Sequence, residues 1–126
     1  TALGNNTIAS GNSSVAIGGD DINKLANDPA IADRYALLTS GGALISGSYP
    51  KTEASGGGSV ALGVQAQATG NFSTAIGMTS GASGDGGVGI GAKSNAAGGG
   101  WLLRQLVVKL SAWVSRVMSL GMHRVL

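Results

Sequence analysis

At 126 residues the chain has room for one domain or a piece of one. Its 23 glycines, 43% apolar, 4% aromatic and 11% charged residues exclude a disordered chain, a collagen and a globule with a large core of its own, and the lack of cysteine excludes disulfides and cysteine-ligated metals. The net charge of +2 divides into −2 over residues 1–100 (Lys24, Arg34, Lys51 and Lys93 against Asp20, Asp21, Asp28, Asp33, Glu53 and Asp85) and +4 over 101–126 (Arg104, Lys109, Arg116 and Arg124), so the basic excess belongs to the tail and no nucleic-acid partner is implied.

Residues 1–18 introduce a short phrase that the chain repeats. Thr1-Ala2-Leu3-Gly4 returns 14 residues later as Ser14-Val15-Ala16-Ile17-Gly18, and again as Ser59-Val60-Ala61-Leu62-Gly63, Ser73-Thr74-Ala75-Ile76-Gly77 and Gly87-Val88-Gly89-Ile90-Gly91. A second glycine column, Gly11, Gly70, Gly84 and Gly98, lies half a period away, with Ala9, Ala68, Ala82 and Ala96 two places before it. Two columns in phase define an internal repeat. In a strand, Val15 and Ile17 share one face and Ala16 takes the other. Branched residues suit a narrow interior and alanine admits a close neighbouring backbone, but the pattern alone leaves open which face lines the roll and which meets a neighbouring subunit. The glycines are expected to turn corners, through positive φ at Gly18 and its equivalents. Two strands and two corners per period predict one coil of a parallel β-solenoid.

Residues 19–57 break the period and are expected to form a loop inserted between coils. Asp20-Asp21 is placed to cap a short helix through Ile22, Leu25 and Ala26. Asp28 as N-cap with Pro29 at the first helical position starts a second, with Ile31, Tyr35 and Leu38 on one face. Gly41-Gly42 ends it, and Ala43-Leu44-Ile45 reads as a strand before the loop Gly47-Ser48-Tyr49-Pro50. Capping explains the acidic pair more cheaply than a metal does. Residues 58–100 return to regular coils, and Phe72, the one large aromatic there, is expected to pack under the inserted loop.

The Ser-x-Ala-x-Gly phrase on a 14-residue step resembles the YadA-like head of trimeric autotransporter adhesins. The passage from Gly19-Asp20-Asp21 through Tyr35 to Gly47-Ser48-Tyr49-Pro50-Lys51-Thr52, and then Ala54-Ser55-Gly56-Gly57-Gly58-Ser59-Val60-Ala61, is similar to the insertion such heads carry between coils. The resemblance covers roughly residues 1–98. It implies an all-β, left-handed parallel β-roll that assembles as a homotrimer and binds a host surface or extracellular-matrix macromolecule. It also implies a full-length parent anchored in the outer membrane of a Gram-negative bacterium; the chain begins inside a repeat, with no signal peptide, neck, stalk or barrel in view, and reads as a segment of that parent. Trimer and roll packing are assigned to Ala2, Val15, Ala16, Ile17, Val60, Ala61, Leu62, Ala75, Ile76, Val88 and Ile90. Coil corners are assigned to Gly4, Gly11, Gly18, Gly63, Gly70, Gly77, Gly84, Gly91 and Gly98. Contacts with a host ligand are placed on the insertion, at Tyr35 and Tyr49.

Residues 101–126 leave the pattern, with Leu103 and Gln105 where alanine and glycine are due. Leu103, Leu106, Leu110, Trp113, Val117 and Leu120 are spaced as a coiled-coil seam. Arg104, Gln105, Lys109, Ser115, Arg116, Ser119 and His123 instead share the polar face of a basic amphipathic helix able to lie on a membrane. The reading adopted is a third, a tail out of frame: back-translating Val107 to Val114 and shifting by two bases permits Gly-Ser-Lys-Ala-x-Gly-x-Gly. Each reading makes the tail helical and lets it cover the last open coil edge.

Catalysis is not expected. The one histidine, His123, lies on the polar face of the tail, and no serine sits in a Gly-x-Ser-x-Gly elbow. Gly81-Ala82-Ser83-Gly84-Asp85-Gly86-Gly87 lacks the Gly-Lys-Ser/Thr ending of a phosphate loop. No cofactor or metal is assigned. A rival β-solenoid that binds ice or carbohydrate would need one column rich in threonine, and the columns here are mixed.

Overall fold

The structure, a computed structural model, describes residues 1–125, with side chains described for residues 1–99 and 109–121. The 14-residue phrase winds into stacked coils, each contributing one strand to each of two parallel sheets. Sheet A holds β1 (Ala2–Leu3), β3 (Val15–Ile17), β5 (Val60–Leu62), β7 (Thr74–Ile76) and β9 (Val88–Ile90) in that order. Sheet B stacks β2 (Thr7–Ala9), β4 (Thr52–Ala54), β6 (Gln67–Ala68), β8 (Gly81–Ala82) and β10 (Asn95–Ala96). Register follows the repeat: Ala16 lies beside Ala61, Ala61 beside Ala75, and Ala68 beside Ala82.

The interior is lined by the small residues. Ala16, Ala54, Ala61, Ala66, Ala68, Ala75 and Ala82 form the core, and the largest fully buried side chains are Thr52, Ser59, Ser73 and Ser80. This decides which face lines the roll, against the narrow interior that branched residues would suit: those of sheet A point outward, with Ile17, Val88 and Ile90 exposed. The reason is the thinness of the roll. At Gly89, where other coils carry alanine, even a methyl would stand 2.5 Å from the Gly81 carbonyl oxygen across the interior. An interior of one-carbon and hydroxyl side chains has no room for isoleucine.

Glycine columns make the stacking possible. Gly77 takes φ +120°, which a side chain disfavours. Gly70 works differently: its φ is ordinary, but a Cβ there would stand 2.5 Å from the Gly84 carbonyl carbon in the next coil and 2.9 Å from the Ser83 oxygen. Positive φ is therefore not the shared property of the corners. Gly18 also lacks it, and its α-hydrogens are needed because the Gly63 carbonyl lies against them.

The insertion is shorter than residues 19–57 and lies within a coil. Thr7 pairs with Thr52 and Ala9 with Ala54, 45 positions on instead of 14, so 31 residues have been added between β3 and β4. Thr52 onward is repeat, and Gly56 stacks in the Gly11–Gly70 column. The insertion carries α1 (Asn23–Ala26) and α2 (Pro29–Leu38). Asp28 caps α2 as its sequence predicts, accepting from Ala30 N at 3.0 Å and Ile31 N at 3.4 Å. Ala43-Leu44-Ile45 is not a strand; it runs as irregular backbone to a turn at Ser46-Gly47. α3 (Gly100–Val125) ends the described chain as a 26-residue helix. Residues 109–121 are exposed on every side, so this part of α3 does not cover the open coil edge. The side chains of Leu103, Arg104, Gln105, Leu106, His123 and Arg124 lie outside the described residues.

Candidate functional site

Three surfaces distinguish this roll from bare scaffold. The first is the outer face of sheet A. Pairing at fixed register lines Leu3, Ile17, Leu62, Ile76 and Ile90 into one column and Val15, Val60, Thr74 and Val88 into the next. Leu3 is 64% exposed and Ile90 66%. Because successive side chains alternate, the alanines that build the interior force their branched neighbours onto this face. The packing residues assigned from sequence thus divide in two. Ala16, Ala61 and Ala75 are fully buried inside the roll. Ala2 belongs to the same column but is exposed in the first coil. Val15, Ile17, Val60, Leu62, Ile76, Val88 and Ile90 form the outward apolar face instead.

The second is the insertion, which lies along one corner of the stack. Its start is clamped by Asp20, buried, whose two carboxylate oxygens each accept a bond of 3.0 Å, from Asn5 Nδ2 and Asn6 Nδ2 of the first coil. Gln65 Nε2 donates to the Asp20 carbonyl at 2.8 Å and to the Ser48 carbonyl at 3.2 Å, joining both arms of the insertion to the third coil. Tyr35 of α2 is 6% exposed, and its hydroxyl meets Thr79 Oγ1 of the fourth coil at 2.5 Å. Asp20 is therefore a clamp and not a helix cap; Asp21 is the residue that accepts from Asn23 N, at 2.9 Å. Tyr35 is an anchor whose hydroxyl is already engaged, which removes it from the exposed ligand-contacting surface expected of it. Tyr49 remains half exposed, its hydroxyl accepting from Asn23 Nδ2 at 2.7 Å. Leu37, Leu38 and Ile45 stand out into solvent, and an open depression of about 550 Å³ is lined by Asp33, Ala36, Leu37 and Gly41.

The third is the opposite corner. Asn71 Oδ1 accepts from Gly57 N at 3.0 Å, and Asp85 Oδ1 accepts from Asn71 N at 2.8 Å, so an amide and a carboxylate oxygen tie successive coils together. Phe72 sits here, 75% exposed with φ +57°, away from the insertion it was expected to support. Its backbone N–H donates to the Gly57 carbonyl at 2.7 Å, and its ring lies over Gly58. Among the described residues, no three His, Cys, Asp or Glu side chains gather as a metal site would require.

The sequence model of the YadA head domain repeat matches the chain in two copies, at residues 1–20 and 54–80. The repeat region is a YadA-like head domain. The gap between the two YadA matches brackets the insertion, and the second match begins inside β4, where the coil resumes. The YadA head belongs to cell-surface adhesins of the trimeric autotransporter type and is a structural adhesin domain, not an enzyme family. No curated protein matches the chain. No helix among the described residues is long and apolar enough to cross a membrane.

Proposed function

We propose that this YadA-like head is an adhesive module that works as a homotrimer, three rolls of left-handed winding packed around one axis through the outer faces of their sheets A. The observation that carries this reading is the apolar ladder on that face, Leu3, Ile17, Leu62, Ile76 and Ile90, in a chain whose own interior holds alanine, serine and threonine. A roll that buries so little apolar surface by itself gains its main hydrophobic stabilisation when that ladder is covered. Each Å² of apolar surface removed from water stabilises the closed trimer by about 25 cal/mol.

The faces left outward would carry adhesion. Sheet B presents Ile8, Glu53, Gln67, Gly81 and Asn95 in one column, and the insertion presents Leu37, Leu38, Ile45 and Tyr49. The mixed sheet B column disfavours a lattice-matching threonine surface. The partner proposed is a host-surface or extracellular-matrix macromolecule, engaged by three copies of each weak site while the full-length parent is held in a Gram-negative outer membrane. Threefold display raises apparent affinity by roughly 10²-fold or more without a deep pocket.

Beads coated with the chain test this. Binding to matrix-coated surfaces is expected, with loss of at least a hundredfold in apparent affinity for the Ile76→Asp, Ile90→Asp variant. Failure to bind any host matrix or cell surface would refute the adhesive role; equal binding by a monomeric variant would refute the avidity mechanism.

A further inference from the structure

The helix α3 is not absorbed by the head reading. Every described side chain along it, from Lys109 to Gly121, is exposed. At about 100° per residue, Leu110, Trp113, Val114, Val117, Met118 and Leu120 occupy one continuous arc of roughly 160°. Ser115 and Ser119 occupy the opposite side, and Ser111 borders the arc beside Met118. Lys109 and Arg116 fall at the border of the apolar arc beside Leu120. The arc is wider than a two-column coiled-coil seam, and Val114 and Met118 extend it beyond the heptad positions.

We propose that α3 is a lipid-surface helix that docks on an anionic bilayer. Its apolar arc would enter the headgroup–acyl boundary with the axis parallel to the surface, while Lys109 and Arg116 reach lipid phosphates along their aliphatic stems. Charge complementarity selects this occupant: residues 101–126 carry four cationic side chains and no acidic one. The helix is not apolar enough to cross the bilayer, and a strongly amphipathic, basic helix of low overall hydrophobicity is the pattern that lies in the interface. Trp113, inside the arc, supplies an amphipathic ring suited to headgroup depth. This docking is independent of the adhesive role of the roll and holds whatever reading frame gave rise to the tail.

The test is flotation of the full chain with phosphatidylcholine vesicles, with and without phosphatidylglycerol. A Trp101→Phe background leaves Trp113 as the emitter. Expected are co-flotation and a blue-shifted Trp113 emission with phosphatidylglycerol vesicles, and weak binding to phosphatidylcholine alone. Lys109→Gln with Arg116→Gln is expected to weaken partitioning about 30-fold, since each cation near an anionic surface contributes about fivefold. Added salt should release the chain. No binding to anionic vesicles while circular dichroism reports the intact β-roll would overturn the proposal, as would equal binding to neutral vesicles. A chain whose α3 apolar arc is instead occupied by another copy would also overturn it. It would show an unshifted Trp113 emission with vesicles and a loss of self-association on Val117→Asp.

Discussion

Replacing Gly70 by alanine, against the same change at Gly98, isolates what holds the coils at their spacing. Both residues belong to one column, half a period from the Ser-x-Ala-x-Gly phrase, but only Gly70 has a coil stacked against its α-carbon. Its added methyl would meet the Gly84 carbonyl carbon at 2.5 Å, whereas nothing among the described residues lies within 4 Å of a Cβ on Gly98. Ordinary contact begins near 3.4 Å, so the coils must part by about 0.9 Å locally. The bonds from Thr69 N and Gly70 N to the Ala82 carbonyl, 2.9 and 3.2 Å long, would then stretch past bonding range. Two lost backbone bonds at about 1 kcal/mol each, plus about 1–3 kcal/mol of packing strain, predict a loss of about 3–5 kcal/mol for Gly70→Ala. Gly98→Ala should stay within about 0.5 kcal/mol. Urea unfolding followed by far-ultraviolet circular dichroism, at one fixed protein concentration because assembly contributes to stability, reads the difference. With a slope of about 2 kcal/mol per M, the Gly70→Ala midpoint falls by roughly 2 M. Equal effects of the two substitutions would refute steric stacking as the reason for the column.

Phe72→Gly should stabilise the fold by about 0.5–1 kcal/mol, because it relieves a left-handed backbone position whose equivalents in neighbouring coils are Gly58 and Gly86; a fall in the thermal midpoint would contradict this. Tyr35→Phe removes the bond to Thr79 and should cost about 1 kcal/mol, and Tyr35→Ala about 3–5 kcal/mol. The second variant should also be cut by protease within the insertion well before the coils open. Asp20→Ala removes the carboxylate that Asn5 and Asn6 share and should expose the same segment to cleavage at unchanged sheet content. Cleavage confined to the coils would contradict the clamp.

The repeat was legible in the sequence because it is enforced by sterics: wherever another coil stacks on a corner, as at Gly11, Gly18, Gly63, Gly70 and Gly77, a methyl in place of the glycine hydrogen meets backbone. The α2 cap was legible for a similarly local reason, since Asp28 and Pro29 act through their own helix turn. The orientation of Val15-Ala16-Ile17 was not. Alternation states which side chains share a face, but the inward side depends on the separation of the two sheets, a property of the folded coil. The end of the insertion was missed because 31 added residues shift the phase. Ala54 and Gly56 keep the alanine–glycine spacing, yet stand 45 residues, not a multiple of 14, from Ala9 and Gly11. That spacing was the signal available. The positions of Phe72 and Tyr35 were illegible for another reason. Phe72 shares its left-handed corner column with Ser13, Gly58 and Gly86, residues that have no chemistry in common and so form no visible motif. The partner of Tyr35, Thr79, is 44 residues away and lies in a different coil.

Sedimentation equilibrium of the full chain tests the central claim most directly, namely that the outward branched residues of sheet A are the surface through which copies meet. The account predicts a single species of three times the 12.3 kDa chain mass, reduced to the chain mass by Ile76→Asp with Ile90→Asp. A stable folded monomer, or a trimer indifferent to those two substitutions, would contradict it.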